Sequence, residues 1–370
     1  MIVDSHAYCF PPGDSKAGYS NVRQHLNWIQ SEHAKHHQPA WNIRDRSPAP
    51  SMDIGPAIPG AWSTLPDVNF RIDHSFGRVI WTLDGEEYTK QFYPPNLRNL
   101  EFTPQGLIAE MDYAGVDVAL LHTNPMLCCE NAFQADCIAS YPNRFYSMAH
   151  IEEWRIISET EQVLQKLRVA IEVHGLHALK FNAPLSYYQS DQPWCAPAYK
   201  TFWDAVKGLN IPVFFTLGEG KRSSSPTDPL QGYMDELQVL IQWMEQYPDI
   251  VCSITHGFPW RMFIKGDYII FPPEVWKPFE NPNLSLEICF PVRIGDLIDY
   301  PYRSVWPALE QTVDEIGLDH LMWGTDMPFQ NRFCTYRQSR DWIENYVDFL
   351  DHDSLAKLMG GTASRILGIS

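Results

Sequence analysis

Eight short, nearly unbroken apolar runs recur along the chain, and they limit its fold more than any other feature. They are MIVDSH (1–6), VDVALLHT (116–123), RFYSMAHI (144–151), HALKFN (177–182), IPVFFTL (211–217), IVCSITH (250–256), LSLEICF (284–290) and HLMWGTD (320–326). A strand with one wet face alternates polar and apolar residues, whereas a continuous run suits a parallel strand covered on both faces. Helix-like stretches lie between most of the runs: TPQGLIAEMDYAG (103–115), ISETEQVLQKLRVAIEVHG (157–175), APAYKTFWDAVKGLN (196–210), MDELQVLIQWMEQYP (234–248) and YRSVWPALEQTVDEIG (302–317). Several of these stop at Gly or Asn just before the next run, a common helix stop. Strand–helix alternation repeated this often predicts an α/β chain closed into a (β/α)8 TIM barrel. The alternative is an open doubly wound sheet, but no GxGxxG loop follows any run.

The first interval breaks the rhythm. Residues 9–102 form a long insertion after strand 1, where a single helix would suffice. Much of it is rich in Pro, Gly, His and Trp, as in PPGDSKAGY, EHAKHHQPAWN and PAPSMDIGPAIPGAW. Within it, RVIWTLDGEEYTKQF predicts a hairpin turning at Asp84–Gly85. An insertion here emerges at the C-terminal mouth of a barrel, so it is expected as a lid or wall, or as an oligomer contact. The chain 1–370 otherwise reads as one barrel.

Side chains at the C-terminal strand ends of such a barrel share one mouth. In order, those ends offer Asp4 and His6; His122; His150 with Glu152; Lys180 with Asn182; Thr216 with Glu219; His256; Glu287; and Asp326. Asp4 and His6 are two apart, so on a regular strand they face the same way. Alone they would read as a cap and a buried core histidine. With His256 and Asp326 at matching ends, they read as a mixed N/O set for a divalent metal, Zn, Mn or Fe(II), as one ion or two. His256 suits a ligand or a general acid/base. Asp326, held ionised by a neighbouring cation, suits a ligand that also takes a proton from bound water. Lys180 is open to three roles: holding a substrate carboxylate, bridging two metals after modification, or pairing with an acid. Glu287 and His150 are further candidate ligands or supports, and His74, in RIDHSF, is placed to reach the site from above. HAKHH (33–37) has the composition of a metal tract but reads more simply as a solvated face.

Bulk properties narrow the partners. A net charge of −17 and a pI near 5.1 speak against nucleic acid and against an anionic membrane surface. No apolar run approaches the roughly 18 residues of a membrane span. The eight cysteines lie scattered with no CxxC pair, and no basic-then-apolar leader opens the sequence. Reduced thiols and a cytoplasmic location are therefore expected. The 13 Trp lean toward buried interfaces, in a homo-oligomer or with a related subunit.

Taken together, DSH at the end of strand one, THG after strand six, GTDMPF after strand eight and the closing GGTASRILGI resemble the amidohydrolase-related proteins. They are closest to the branch of aminocarboxymuconate-semialdehyde decarboxylase and the resorcylate-type decarboxylases. The tail is similar to that branch's Gly-x-Asn-Ala-x-x-Leu, with Thr362 where Asn is usual. The resemblance covers strand one and roughly residues 100–370, and leaves the insertion out. It implies a metal held by Asp4, His6 and Asp326, with His256 moving a proton. It departs at strand five, where Thr216 stands in place of a histidine, so that His256, Glu287, His150 or Glu219 would complete the set. The implied activity is non-oxidative decarboxylation or hydrolysis of a small carboxylic acid. The alternatives are a dinuclear iron-type (Fe/Mn) monooxygenase on the same fold and a non-catalytic partner subunit.

Overall fold

The structure is a computed structural model, and it describes residues 1–50, 54–58, 60–218 and 228–369. All eight apolar runs are strands: β1 (Val3–Ala7), β2 (Val118–Leu121), β3 (Phe145–Ala149), β4 (Ala178–Asn182), β5 (Val213–Thr216), β6 (Cys252–Ile254), β7 (Leu284–Ile288) and β8 (Leu321–Trp323). They pair in parallel in chain order. The ends of the sheet meet where Tyr8 N donates to Met327 O at 2.8 Å and Asp326 N donates to His6 O at 2.7 Å. The fold is the expected (β/α)8 barrel.

Two layers of apolar side chains follow from strands buried on both faces. Val3, Val118, Leu120, Met148, Ala178, Phe214 and Met322 form a cluster with Ala363 and Ile366 of the helix Thr362–Leu367. Two-residue alternation from Val118 and Leu120 carries this face of β2 on to His122, and from Ala178 carries β4 to Lys180. The opposite faces pack under the helices. The helix Pro104–Ala114 starts on a Thr103 cap and stops at Gly115, φ 69°; Lys200–Leu209 stops at Asn210, φ 52°. Both stops use the left-handed conformation the sequence anticipated. No described helix is long and apolar enough to cross a membrane.

Residues between β1 and β2 fold into a helix (Val22–Lys35) and a four-stranded antiparallel sheet of Ala40–Asn42, Glu86–Lys90, Arg78–Leu83 and Arg71–Asp73, in that order. Asp84 and Gly85 have φ of 50° and 82° and turn the anticipated hairpin, pairing Leu83 with Glu86. Phe10 and Phe102 bridge antiparallel through two 3.0 Å backbone hydrogen bonds.

An aromatic wedge of Phe181, Trp194, Trp203, Phe215 and Trp243 fills the space between β4, β5 and two helices, Lys200–Leu209 and Pro229–Gln246. Glu236 is buried at its edge. Trp194 Nε1 donates to its carboxylate, as does Tyr187 OH at 3.0 Å. Burial outweighs these donors and pushes its pKa up to about 7. The folded chain therefore holds a proton that the unfolded chain has released. The stabilisation is full below the unfolded value of 4.5 and is lost as pH rises through about 7. Glu236→Gln keeps the shape without the ionisation. Between pH 5 and pH 8, denaturant titration is expected to show wild type losing up to about 3 kcal/mol that the variant retains. Equal losses in both proteins would refute this account.

Candidate metal centre

Among the described residues two donor clusters form at the mouth, both containing His6. In one, ligand atoms of His6, His256 and Asp326 all lie within 4.8 Å of one another; the other joins His6, Glu287 and Cys289. Local backbone places them. His256 and Asp326, just past β6 and β8, adopt φ of 62° and 63°. Such left-handed geometry costs a non-glycine residue of order 1 kcal/mol and turns each side chain back over the barrel. Gly257 follows His256 at φ 78°, where a Cβ would lie 2.6 Å from Glu287 O. The Gly of THG is thus sterically required.

Hydrogen bonds fix most of the protons. His6 Nδ1 faces Glu287 Oε2 at 2.7 Å, which assigns the Nδ1 proton to that bond. His6 Nε2 is left facing Tyr8 OH at 2.9 Å and Asp326 Oδ1 at 3.2 Å. A carboxylate behind an imidazole that aims its other nitrogen at a shared point is a common support for a metal ligand. Burial disfavours charge on His6, but Glu287 and Asp326 outweigh it and its pKa is raised. The site therefore draws a cation to Nε2, either a proton or a metal competing for the same lone pair. His256 Nε2 lies 3.3 Å from Asp326 Oδ1. Burial and then His6 lower the His256 pKa to about 4, so the ring is neutral and able to ligate at neutral pH. Burial favours a neutral Asp326, but His256 and His6 outweigh it and hold the carboxylate ionised. Two neutral nitrogens and one carboxylate fit a divalent ion of the Zn, Mn or Fe type.

Asp4 is not brought into this set. Its Oδ1 accepts from His6 N at 2.9 Å and Thr325 N at 3.1 Å; its Oδ2 accepts from Thr325 Oγ1 at 2.5 Å and Tyr336 OH at 2.6 Å. Four donors saturate the carboxylate. The register between β1 and β2 shifts between Asp4 and Ala7, so the two residues do not share a face. Asp4 ties β1 to the segment after β8, while His6 joins both donor clusters.

The other candidates separate cleanly. Glu287 is fully buried and also accepts from His256 N at 2.8 Å, so it braces both histidines. Lys180 Nζ donates to His122 Nδ1 at 3.0 Å and to Thr255 Oγ1 at 3.1 Å, and Thr255 Oγ1 meets Thr216 Oγ1 at 2.8 Å. The position expected to carry a strand-five histidine thus ends in a hydroxyl chain to a lysine. Burial lowers the Lys180 pKa to about 8. His122 Nε2 is held by Ser5 O at 2.8 Å, so neither of its nitrogens is open, and its ring stacks on His6 at 3.5 Å between centroids. His150 is buried, its Nε2 has no partner among the described residues, and it belongs to neither cluster. His74 does not reach the site; it is an exposed ring paired with Asp14 at 2.6 Å. Glu219 lies outside the described residues. The eight cysteines are free and buried; burial raises Cys128 to about 12 and Cys129 to about 11, which leaves them inert as nucleophiles.

A family model described as amidohydrolase matches residues 130–369. The chain belongs to the amidohydrolase family. This amidohydrolase is 24% identical over 248 residues to a gamma-resorcylate decarboxylase of a Polaromonas species, covering 58% of this chain and 68% of that protein. Among solved structures it resembles a dihydroxybenzoic acid decarboxylase from Polaromonas with bound manganese and 2-nitroresorcinol (TM-score 0.53, 19% identity, 74% of this chain and 89% of that one). It also resembles a 5-carboxyvanillate decarboxylase from Sphingomonas paucimobilis (TM-score 0.54, 15% identity, 100% and 99%). These structural likenesses show the shared barrel.

Tyr8, Thr255 and Arg293 belong to the amidohydrolase's mouth and were missed in the sequence. Tyr8 lies two residues beyond His6, and that spacing was the available signal. Arg293, in FPVRI directly after β7, was legible only as a lone cation following a strand.

Proposed function

We propose that this amidohydrolase is a metal-dependent, non-oxidative decarboxylase of a small aromatic carboxylic acid. The observation that carries the reading is the convergence of His6, His256 and Asp326 on one point at the ends of β1, β6 and β8. These three residues would hold a single divalent ion. When bound, such an ion polarises the substrate's carboxylate and a neighbouring oxygen and steadies negative charge on the ring. Glu287 orients His6, and Tyr8 OH fills the space beside Nε2 until substrate enters.

Asp326 moves the proton. As a carboxylate it takes one from solvent or from a ring hydroxyl and delivers it to the carbon bearing the carboxyl group. The bond to that group then breaks, its electron pair returns to the ring, and CO2 leaves. The Lys180–Thr255–Thr216 chain supplies positive charge close to the reacting carboxylate. Two features favour one ion over two. Both nitrogens of His122 are engaged, and Lys180 brings its own cation where a second metal would sit. Residues 9–102 act as the wall of the mouth, a role supported by His36 and His37, which contact Arg332 and Arg261 beside it. The relatives named above lend the substrate class.

The purified chain, stripped and reloaded with manganese, is expected to hold one ion and to release CO2 from hydroxybenzoates, read by coupled bicarbonate detection. Oxygen uptake with two iron ions per chain, or acid release from an ester or lactone with no CO2, would overturn the proposal.

A further inference from the structure

Asn182 ends β4 and has no part in the proposed reaction, yet a buried carboxyl is devoted to it. Glu153, in the short helix Glu153–Arg155 beyond β3, is 1% exposed. Its Oε1 accepts from Asn182 N at 2.7 Å and from Asn182 Nδ2 at 3.1 Å. Its Oε2 is buried with no partner among the described residues, an arrangement that costs stability and does nothing but hold the amide. A backbone N–H can only donate, so Oε1 is an acceptor, and the Asn182 amide is fixed with its nitrogen toward Glu153. Oδ1 is then the free end. It accepts no hydrogen bond from the described residues and remains open to solvent.

Alternation along β4 sets where Asn182 stands. Ala178 packs inside the barrel, and Lys180 reaches across it to His122 and Thr255, whereas Phe181 packs outward against Trp203. Asn182 therefore lies on the inner face, one step nearer the mouth than Lys180. It pairs in register with Thr216 of β5, and Phe214, inside the barrel, puts Thr216 on the same face. Thr255 Oγ1 donates to Phe215 O at 3.1 Å and accepts from Lys180. The 2.8 Å contact between the two threonines therefore takes the Thr216 proton and leaves the Thr216 oxygen an acceptor, on a half-buried side chain. The segments beyond the two strands press together, since a Cβ on Gly218 would lie 2.5 Å from Pro184 Cγ. Two acceptors thus stand side by side on a closely packed rim. Such a pair rejects a group with no proton to give, because its own oxygens are then left unpaired.

We propose that Asn182 Oδ1 and Thr216 Oγ1 form a subsite at the β4–β5 rim for a hydroxyl or amino group that the substrate ring carries away from its carboxylate, with Glu153 as the positioning residue that fixes the amide. The inference rests on the decarboxylase reading only for the ring and its carboxylate.

Calorimetric titration of the manganese-loaded protein with the hydroxy-, amino- and fluorobenzoates substituted at position 3 or 4 tests it. At one of these positions wild type is expected to bind the hydroxy and amino acids about tenfold or more tightly than the fluoro acid, which has the size but no proton to donate. Asn182→Ala should erase that margin while holding the fluoro acid within about twofold. Thr216→Val should lose part of the margin and carries the test if the alanine variant does not fold. Glu153→Leu should shrink the margin, and Glu153→Gln, whose carbonyl still accepts from Asn182, should hold it. Equal affinities for all three acids in wild type, a margin that survives Asn182→Ala, or an equal loss for all three in that variant would overturn the subsite. A margin untouched by Glu153→Leu would overturn the positioning role. The two readings fail separately. A margin that depends on Asn182 but comes with no CO2 release sinks the decarboxylase alone. CO2 release with no margin in wild type sinks the subsite alone.

Discussion

Asp326→Asn is expected to reduce turnover by ~10³-fold, the range lost when a positioned proton carrier is removed. The amide keeps the size of the side chain but loses the charge that faces His6 Nε2 at 3.2 Å and His256 Nε2 at 3.3 Å. It can neither take nor return a proton. Metal content, read by atomic emission after dialysis, should fall as well, because a neutral amide is a weak ligand for a divalent ion. The informative contrast is Asp4→Asn. Asp4 accepts four protein hydrogen bonds and faces away from the cluster, so its variant should unfold earlier yet retain bound metal. If Asp4→Asn emptied the metal site while Asp326→Asn left it full, the assignment of ligands would be reversed.

The second large effect is expected at Glu287. This carboxylate is fully buried and accepts from His6 Nδ1 at 2.7 Å and from His256 N at 2.8 Å. Burial opposes its ionisation, but His6 and His122 outweigh burial and hold it ionised. Glu287→Ala leaves a buried imidazole without its counter-charge, which typically costs about 3–5 kcal/mol. Urea titration of the metal-free protein should show a loss of that size. Loaded protein should lose more, since His6 would also be free to turn its ring and weaken its hold on the ion. A loss below about 1 kcal/mol, the ordinary range for an exposed pair, would show that Glu287 is not the brace described here.

The barrel was legible because burial on both faces writes itself into sequence as unbroken apolar runs, and each of the eight runs became a strand. The hairpin was legible for an equally local reason: Asp84–Gly85 supplies the two left-handed residues that a tight turn needs. His6, His256, Asp326 and Glu287 were legible from their places at strand ends. What failed was the inference from strict alternation. The register shift in β1 separates Asp4 from His6, and nothing in DSHAY announces such a shift. His74 lies outside both clusters, paired with Asp14, because its reach depends on how the insertion folds back, which is set by long-range packing. The same packing brings His36 and His37 of HAKHH against Arg332 and Arg261, some 225 to 300 residues away in sequence.

The bridge between Phe10 and Phe102 has a consequence for how this chain can change. It brings the two ends of the insertion together through a pair of backbone hydrogen bonds. Loop-closure entropy grows only slowly with loop length. Once that bridge forms, β1 and β2 meet as though joined by a tight turn, whatever lies between. Length changes in the hairpin part of the insertion are therefore expected to weigh little on the strands that hold His6 and His122. Substrate preference and barrel integrity thereby become more nearly separate quantities, joined at that bridge and at the contacts His36 and His37 make with Arg332 and Arg261.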